Sequence, residues 1–522
     1  MTDVEHAFKL NPELHSFGSV GDMIVGAVER YWARPAFSTE THTYTYSEFG
    51  RHVSQAIQFL DDCDLQPGDA VMQLSANRYE MFVLMAACYI GGFVSVTPHY
   101  AGSIEDYRYI LSDSNARLLI CDTERSSAGM QLLAENASAL RVFAYDAVNG
   151  LGGAWEKING YSPGRVFARD KPQDIVRLLY TGGTTGLPKG VVTLSSQLAF
   201  ASLLHYSEQA FNEGTRFLVS SPLTHGAGAF IIPVLAKGGI VVLRERFNAQ
   251  RTLMEIARGE VTDAFVVPTM LYALLDHPSA QKMSYPNVRR LIYAGAPITR
   301  PRLEQALELF GPVLVQNYGQ SEVPGTILSL RADEHFDSRA DRLVSAGKPY
   351  AGVSVTLLDD ECQEVARGGG VGEICVRSPH ATPGYWKRPD LNKELWRSGW
   401  LHTGDLAYQD EDGYFYIVDR KKDMIITGGF NVYPKEIENI LHDHPAVNAA
   451  AVIGIPHEKW GESVHAVIVL KEGASLDTDA LLDLVKSRKG SVMTPKTIEV
   501  RESLPLTKFG KIDKKALRAS YW

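Results

Sequence analysis

An apolar-rich run over 175–180 leads into Thr181-Gly182-Gly183-Thr184-Thr185-Gly186-Leu187-Pro188-Lys189. Such a segment suits a polyphosphate. Glycines let backbone N–H groups approach and encircle phosphate oxygens, the threonine hydroxyls add donors, and Lys189 adds a point charge. A flexible Gly/Thr turn uses the same residue types. The spacing departs from a Walker A loop, in which Gly directly precedes Lys and a Ser or Thr then opens a helix. Here Leu187-Pro188 intervenes, and 190–193 reads as a strand, which disfavours a standard P-loop NTPase.

Further segments follow in a fixed order. They are Pro222-Leu223-Thr224-His225, Tyr293-Ala294-Gly295-Ala296-Pro297, Gln316-Asn317-Tyr318-Gly319-Gln320-Ser321-Glu322 and Gly372-Glu373. After them come Gly399-Trp400-Leu401-His402-Thr403-Gly404-Asp405, Asp419-Arg420-Lys421-Lys422, and Leu504-Pro505-Leu506-Thr507-Lys508-Phe509-Gly510-Lys511-Ile512. With the Gly/Thr segment, this series resembles the superfamily of adenylate-forming enzymes: acyl-CoA synthetases, firefly luciferases and the adenylation domains of peptide synthetases. The resemblance runs from about Tyr44 to Leu517 and is nearest to acyl-CoA ligases. Gly182 stands where many members have Ser, and Ser321 where many have Thr. The first change removes a hydroxyl donor but occurs among fatty acyl-CoA ligases, and the second keeps the hydroxyl.

The resemblance implies a reaction and a role for each segment. A carboxylate is a poor electrophile because it is already an anion. Joining it to the α-phosphate of ATP makes a mixed anhydride, and two anions must be brought together with their charge stabilised. Lys511 resembles the lysine that bridges carboxylate and phosphate oxygens. Its neighbours Lys508, Lys514 and Lys515 would by themselves suggest a solvated charged face. Glu322 resembles the Mg²⁺-holding residue, and one carboxylate suffices for an ion that keeps several waters. The resemblance has Tyr318 stacking on adenine and Asn317 bonding its amino edge, with Gly319 and Ser321 beside them. Gly295, Ala296 and Pro297 pack against the base. As a type, Tyr318 fits a core aromatic equally well.

Asp405 resembles the carboxylate that accepts both ribose hydroxyls, and Arg420 the arginine that also reaches the ribose. A turn aspartate and a surface ion pair are the plain alternatives. His225 resembles the residue at the floor of the acyl site, with Gly226, Val267 and Ala294 lining the pocket; a structural histidine is the alternative. Gly429 and Phe430 match the pair lining the CoA tunnel in acyl-CoA ligases, or form a simple β-turn. Lys422 falls where the family has its hinge. The implied activity is that of an acid–thiol ligase using ATP, Mg²⁺ and CoA. An adenylating enzyme with a carrier protein, an amine or oxygen as acceptor is the alternative, and a non-catalytic nucleotide-binding homologue a further one.

Positioning these residues takes a particular set of elements. A helix from Ser47 carries Phe49, Val53, Ala56, Ile57 and Leu60 on one face. Strands are expected over 70–75, 93–97 and 117–122, with helices near 78–90 and from Ser103, which Asp106 helps to cap. After residue 174 strands are expected over 175–180, 216–220, 240–244, 263–267, 290–294 and 313–317. This alternation predicts an α/β fold with mostly parallel, helix-covered sheets. After about 345 turns become denser (Asp359-Asp360, Gly368-Gly369-Gly370, Asp412-Gly413), which suggests a β-rich subdomain over about 345–420. Beyond it, helices over 434–442 and 477–489 and strands over 449–455, 464–470 and 497–501 make a small α+β domain. The expected division is 1–420 for the large N-terminal domain and 421–522 for a mobile C-terminal domain.

Composition narrows the partners. The 522 residues are 45% hydrophobic and 22% charged, and 52 basic against 61 acidic residues give −9, so nucleic acid is an unexpected partner. The five cysteines are scattered without a CxxC pair, which fits a reducing compartment. The uncharged stretches 81–104 and 217–236 are interrupted by Gly, Pro and His, so no membrane-spanning segment is expected. The first residues lack a basic region before an apolar core, so no secretory signal is expected. The expectation is a cytoplasmic monomer or homodimer acting on small molecules. With the chain ending at Trp522, a following carrier domain is not expected. No acidic residue adjoins His225 within 221–229 to pair with a substrate ammonium, and Phe230, Ile231, Ile232, Val266, Val267 and Met270 are apolar. An apolar aliphatic or aromatic acid is therefore expected.

Overall fold

The computed structural model describes residues 18–136, 140–181, 187–296, 298–336, 340–507 and 512–521. The chain divides into two compact units. The first comprises Met1–Leu343, Gly347–Ser354 and Arg377–Trp396; the second comprises Val344–Ala346, Val355–Val376 and Arg397–Trp522.

The first unit is built on two sheets. In the six-stranded sheet the order is Arg141–Ala144, Ala116–Cys121, Ala70–Leu74, Val94–Val96, Ile175–Thr181, Lys189–Leu194. All neighbours are parallel except the last pair, a hairpin around the Gly/Thr segment. In the nine-stranded sheet, Leu314–Tyr318, Arg290–Tyr293, Asp263–Val266, Arg216–Val219, Ile240–Leu243 and Pro35–Ser38 run parallel. Antiparallel strands close both its edges.

Period-two burial explains the layering. Leu118 and Ile120 pack into the core between the sheets, whereas Leu119 and Cys121 on the same strand pack outward. Phe217 and Val219 likewise face the shared core, and Leu218 the outer helices. The helix Tyr79–Gly91 is buried at every position but Glu80. This accounts for the first uncharged stretch, because a helix apolar all round belongs in an interior. Among the described residues no helix is long and apolar enough to cross a membrane.

Helix starts follow their caps. Asp106 and Ser103 cap Ile104–Ser114 reciprocally, as expected. The helix expected from Ser47 starts one residue earlier, at Tyr46. Thr45 accepts from the Glu48 N–H while Glu48 accepts from the Thr45 N–H, which contributes about 1 kcal/mol.

In the second unit a five-stranded sheet holds Ser354–Leu358, Val371–Arg377, Trp396–Arg397, Trp400–Gln409 and Phe415–Arg420, with antiparallel pairing at its centre. A second five-stranded sheet is dominated by the hairpin Val447–His457 with Gly461–Leu470, longer at both ends than its apolar runs suggest. Pro434–His442 forms the expected helix with Pro at its start. The helix expected over 477–489 extends over Thr478–Met493, with non-helical φ and ψ at Gly490.

Candidate active site

A parallel sheet delivers the carboxyl end of every strand to one edge, and ligands bind there where successive connections diverge. In the nine-stranded sheet that point is Arg216–Val219. The next strand in the chain, Ile240–Leu243, lies on one side of it, and Asp263–Val266 lies on the other. The candidate residues follow these strand ends. His225 and Gly226 lie just beyond Val219, Val267 follows Val266, and Ala294, Gly295 and Ala296 follow Tyr293. Asn317 and Tyr318 end Leu314–Tyr318. Gly295 has φ +87°, and a side chain there would approach Val267 Cγ1 at 3.8 Å.

The loop holding His225 is set by close backbone approach. A Cβ on Gly228 would lie 1.6 Å from the Leu223 carbonyl oxygen, and one on Gly226 would lie 2.5 Å from the Phe265 ring. Only glycine lets the backbone pass there. Thr224 Oγ1 and His225 Nδ1 lie 2.7 Å apart, and the His99 ring meets the His225 ring edge-on at 5.5 Å. Burial pushes the His225 pKa down to about 4, with His99 and Arg177 adding to the effect. His225 is therefore neutral near pH 7 and can orient a ligand by hydrogen bonding, but not by charge.

Asn317 is buried. Its Oδ1 accepts from Ser329 Oγ at 3.4 Å, and its Nδ2 has no partner among the described residues, which leaves a donor for a ligand acceptor. Side-chain amide orientation follows the hydrogen-bond network. Gly319 passes so close to Gly325 that a Cβ would lie 2.7 Å from its backbone. Between them lies a tight turn closed by hydrogen bonds between Gln320 and Val323, which carries Ser321 and Glu322.

One site residue was not read from the sequence. Tyr385 Oη donates to Glu322 Oε1 at 2.8 Å, and Lys189 Nζ sits 5.3 Å from the centre of the same Tyr385 ring. The segment that carries it lies along the strand Lys189–Leu194: Trp386 N donates to Gly190 O, and Thr382 Oγ1 to Val192 O. Thr382 N donates to Glu322 O at 2.7 Å. The sequence signal for Tyr385 is only a Pro-Gly turn. Glu322 forms no ion pair among the described residues, so its charge is available to a cation.

The second unit holds the other polar candidates. Asp405 and Arg420 are register partners on adjacent strands, and Arg420 Nε lies 2.9 Å from Asp405 Oδ1. Asp405 is buried and Arg420 exposed. Gly404, at φ +72°, donates its N–H to Glu373 Oε1 at 3.0 Å. Burial raises the Glu373 pKa, but His402, Lys421 and the Gly404 N–H outweigh that and hold it below the usual range. Lys421 Nζ reaches both Glu373 (3.3 Å) and Asp360 (2.6 Å), next to Lys422 in the turn Lys421–Asp423.

Gly428 and Gly429, both at positive φ, form the two-residue turn between Ile425–Thr427 and Phe430–Val432. Phe430 is exposed. Gly182, Gly183, Thr184, Thr185, Gly186, Pro297 and Lys511 lie outside the described residues. The segments flanking Lys511 are anchored: Leu506 pairs with Ile512, and Asp513 N donates to Pro505 O at 2.8 Å.

The paired α/β sheets and this series of strand-end residues define a nucleotide-dependent enzyme class. The chain belongs to the AMP-binding enzyme family, whose main domain matches residues 26–386 and whose C-terminal domain matches 436–511. It is 38% identical to a medium/long-chain fatty-acid–CoA ligase from Mycobacterium tuberculosis, over 96% of this chain and 90% of that one. It is 35% identical to a feruloyl-CoA synthase from an Amycolatopsis species, over 91% and 94%. The structure resembles the amide bond synthetase McbA of Marinactinospora thermotolerans, with a TM-score of 0.88, 30% identity and coverage of 96% and 100%.

Proposed function

We propose that the chain is an ATP-dependent acid–thiol ligase, which joins a carboxylate to ATP, releasing pyrophosphate, and then transfers the acyl group from AMP to CoA. The observation that carries this reading is the row of strand ends in the first unit, where a neutral histidine, small residues and an orphaned buried amide share one sheet edge. Small residues admit a flat base and an acyl chain, and Tyr318 supplies an aromatic face for adenine. Lys189 and the Gly/Thr segment hold the phosphates, and Asp405 and Arg420 the ribose.

Glu322 holds Mg²⁺. Its uncompensated charge fits a hard cation that keeps most of its waters, and the bound ion supplies charge neutralisation to the polyphosphate. Lys511 bridges carboxylate and phosphate during adenylation. The C-terminal domain, 421–522, then turns about Lys422 so that CoA enters past Gly429 and Phe430. The acid is apolar in its main part. The enzyme works on small molecules, in the cytoplasm, as a monomer or homodimer.

Acid-dependent ATP–pyrophosphate exchange tests the first half, and thioester formation from acid, ATP and CoA tests the second. Absence of exchange across a broad acid panel refutes the ligase reading. The likeness to an amide bond synthetase supports a second reading, an amine acceptor. Amide without thioester would select it.

A further inference from the structure

A small cavity of about 30 Å³ lies inside the first unit beside the loop that carries His225. Phe82, Met85 and Ile232 give it apolar walls, and Gly228 contributes from the His225 loop. Four lining residues carry polar groups, Tyr89, Arg177, Ser202 and His205, and of these Ser202 is satisfied by the Leu198 carbonyl.

Arg177 stands on the strand next to one edge of the six-stranded sheet, registered against Ser95 on one side and Thr193 on the other. Its Nη2 donates to Thr193 Oγ1 at 3.4 Å, a long contact, and its buried Nε has no partner among the described residues. It forms no ion pair among the described residues. Burial lowers its pKa, and Tyr89 only partly offsets this. His205 is 1% exposed, and neither ring nitrogen has a partner among the described residues. Its ring packs on Phe230 at 4.3 Å, and burial holds it neutral, with a pKa of about 3. A neutral imidazole still carries one N–H donor.

An unpaired guanidinium and an orphaned imidazole in one apolar cavity cost stability unless a ligand compensates them. The group that compensates both is an anion that accepts several hydrogen bonds. The space suits one or two water-sized groups, which is the size of a carboxylate and far short of a whole substrate.

We propose that this cavity receives a second carboxylate of the acid substrate, remote from the reacting one and held by Arg177 and His205. The inference rests on the ligase reading above and deepens it. The substrate is a dicarboxylic acid whose middle part is apolar. Its reacting end lies toward His225, and its far end is neutralised by Arg177. Arg177 and His205 are then specificity residues that touch the substrate and take no part in bond making.

The test compares three acids of matched chain length: the plain monocarboxylate, its ω-hydroxy derivative and the α,ω-dicarboxylate. Pyrophosphate release gives kcat and KM, and melting temperatures are taken with each acid in the absence of ATP. The wild type should favour the dicarboxylate by about thirtyfold or more in kcat/KM over both other acids. Arg177→Met should remove that preference through KM, with kcat for the monocarboxylate held within about threefold. Its melting temperature should equal or exceed the wild-type value, because a half-buried charge without an ion pair among the described residues has gone. The dicarboxylate should raise the melting temperature of the wild type but not of Arg177→Met.

Equal use of monocarboxylate and dicarboxylate by the wild type overturns the proposal while leaving the ligase reading intact. Equal use of the ω-hydroxy acid and the dicarboxylate overturns the anionic assignment. Equal loss of all acids in Arg177→Met assigns that residue to the reacting carboxylate and also overturns it. If no acid releases pyrophosphate, the ligase reading fails, and the cavity is judged by the dicarboxylate melting shift and its loss in Arg177→Met. If Arg177→Met melts lower, His205→Phe decides. It must raise KM for the dicarboxylate about tenfold more than for the monocarboxylate, or the proposal falls.

Discussion

At the strand ends of the first unit, the candidate residues are placed by backbone approach. Gly226, Gly228 and Gly319 pass where a Cβ would collide, His225 is held neutral, and Asn317 keeps a buried donor without a partner. Around Asp405 in the second unit, placement is ionic. Arg420 holds Asp405, and Glu373 gathers Arg397, His402, Lys421 and the Gly404 N–H. The difference teaches a division of labour. Close-packed neutral surfaces discriminate by shape and by unmet hydrogen bonds, which are costly to leave unmade. In the second unit each buried carboxylate meets half-exposed basic side chains, so its charge is compensated at the edge of solvent and not left unmet.

The largest predicted effect lies in the second unit. Lys511→Ala should slow acyl-AMP formation about a hundredfold, the loss of one preorganised charge contact of about 3 kcal/mol. It should still convert supplied acyl-AMP and CoA to thioester. Single-turnover assays of each half-reaction check this, and equal loss in both would break the division of labour.

Next comes the hinge. Proline fixes φ near −65° and removes the N–H, whereas a hinge absorbs its motion in φ and ψ. Lys422→Pro should impair thioester formation at least about tenfold more than adenylation, with little change in melting temperature. Unfolding, or equal damage to both steps, would show Lys422 to be merely part of a charged turn.

In the first unit the metal supplies the sharper contrast. Glu322→Gln keeps the shape and removes the anion, so activity should fall and higher Mg²⁺ should partly restore it. Tyr385→Phe deletes the hydroxyl that donates to Glu322 Oε1. It should raise the Mg²⁺ requirement by about three- to tenfold, in line with a hydrogen bond to a charged group. Mg²⁺ titrations of activity distinguish the two variants from wild type. An unchanged Mg²⁺ dependence in Glu322→Gln would remove the metal from this edge.

The smallest effect concerns pH. His225 is held down to about 4, and His205 and His380 to about 3, in each case chiefly by burial. The unfolded chain, with histidines near 6.5, binds more protons than the folded state as pH falls below that value. The stability these groups confer is complete above about pH 6.5 and is lost as pH drops toward about 4 for His225 and about 3 for His205 and His380. Melting temperature should therefore decline over that window, and His380→Gln should flatten the decline. A flat wild-type profile would mean that these histidines are not desolvated as their burial implies.

Much of this was legible in the chain itself. Short continuous apolar runs placed most parallel strands to within one or two residues, because a strand covered on both faces is apolar at nearly every position. Ser103 with Asp106 announced a helix start, because a cap bonds within three residues. The strand after Lys189, which set this segment apart from a Walker A loop, was readable in the same way. The short strands Pro35–Ser38, Thr43–Thr45 and Arg141–Ala144 went unread.

Tertiary structure alone decided the rest. Tyr385 reaches Glu322 across 63 positions, and Arg177 meets the His225 loop only because a helix, a strand and a loop share one core. Neither pairing leaves a local trace, since side chains distant in sequence are brought together by sheet order and not by spacing. The chain by itself determined which chemistry its motifs could carry, because glycine, threonine, lysine and glutamate have fixed donors, acceptors and charges. Which of those groups would be dry, neutral or left without a partner depended on what folded over them.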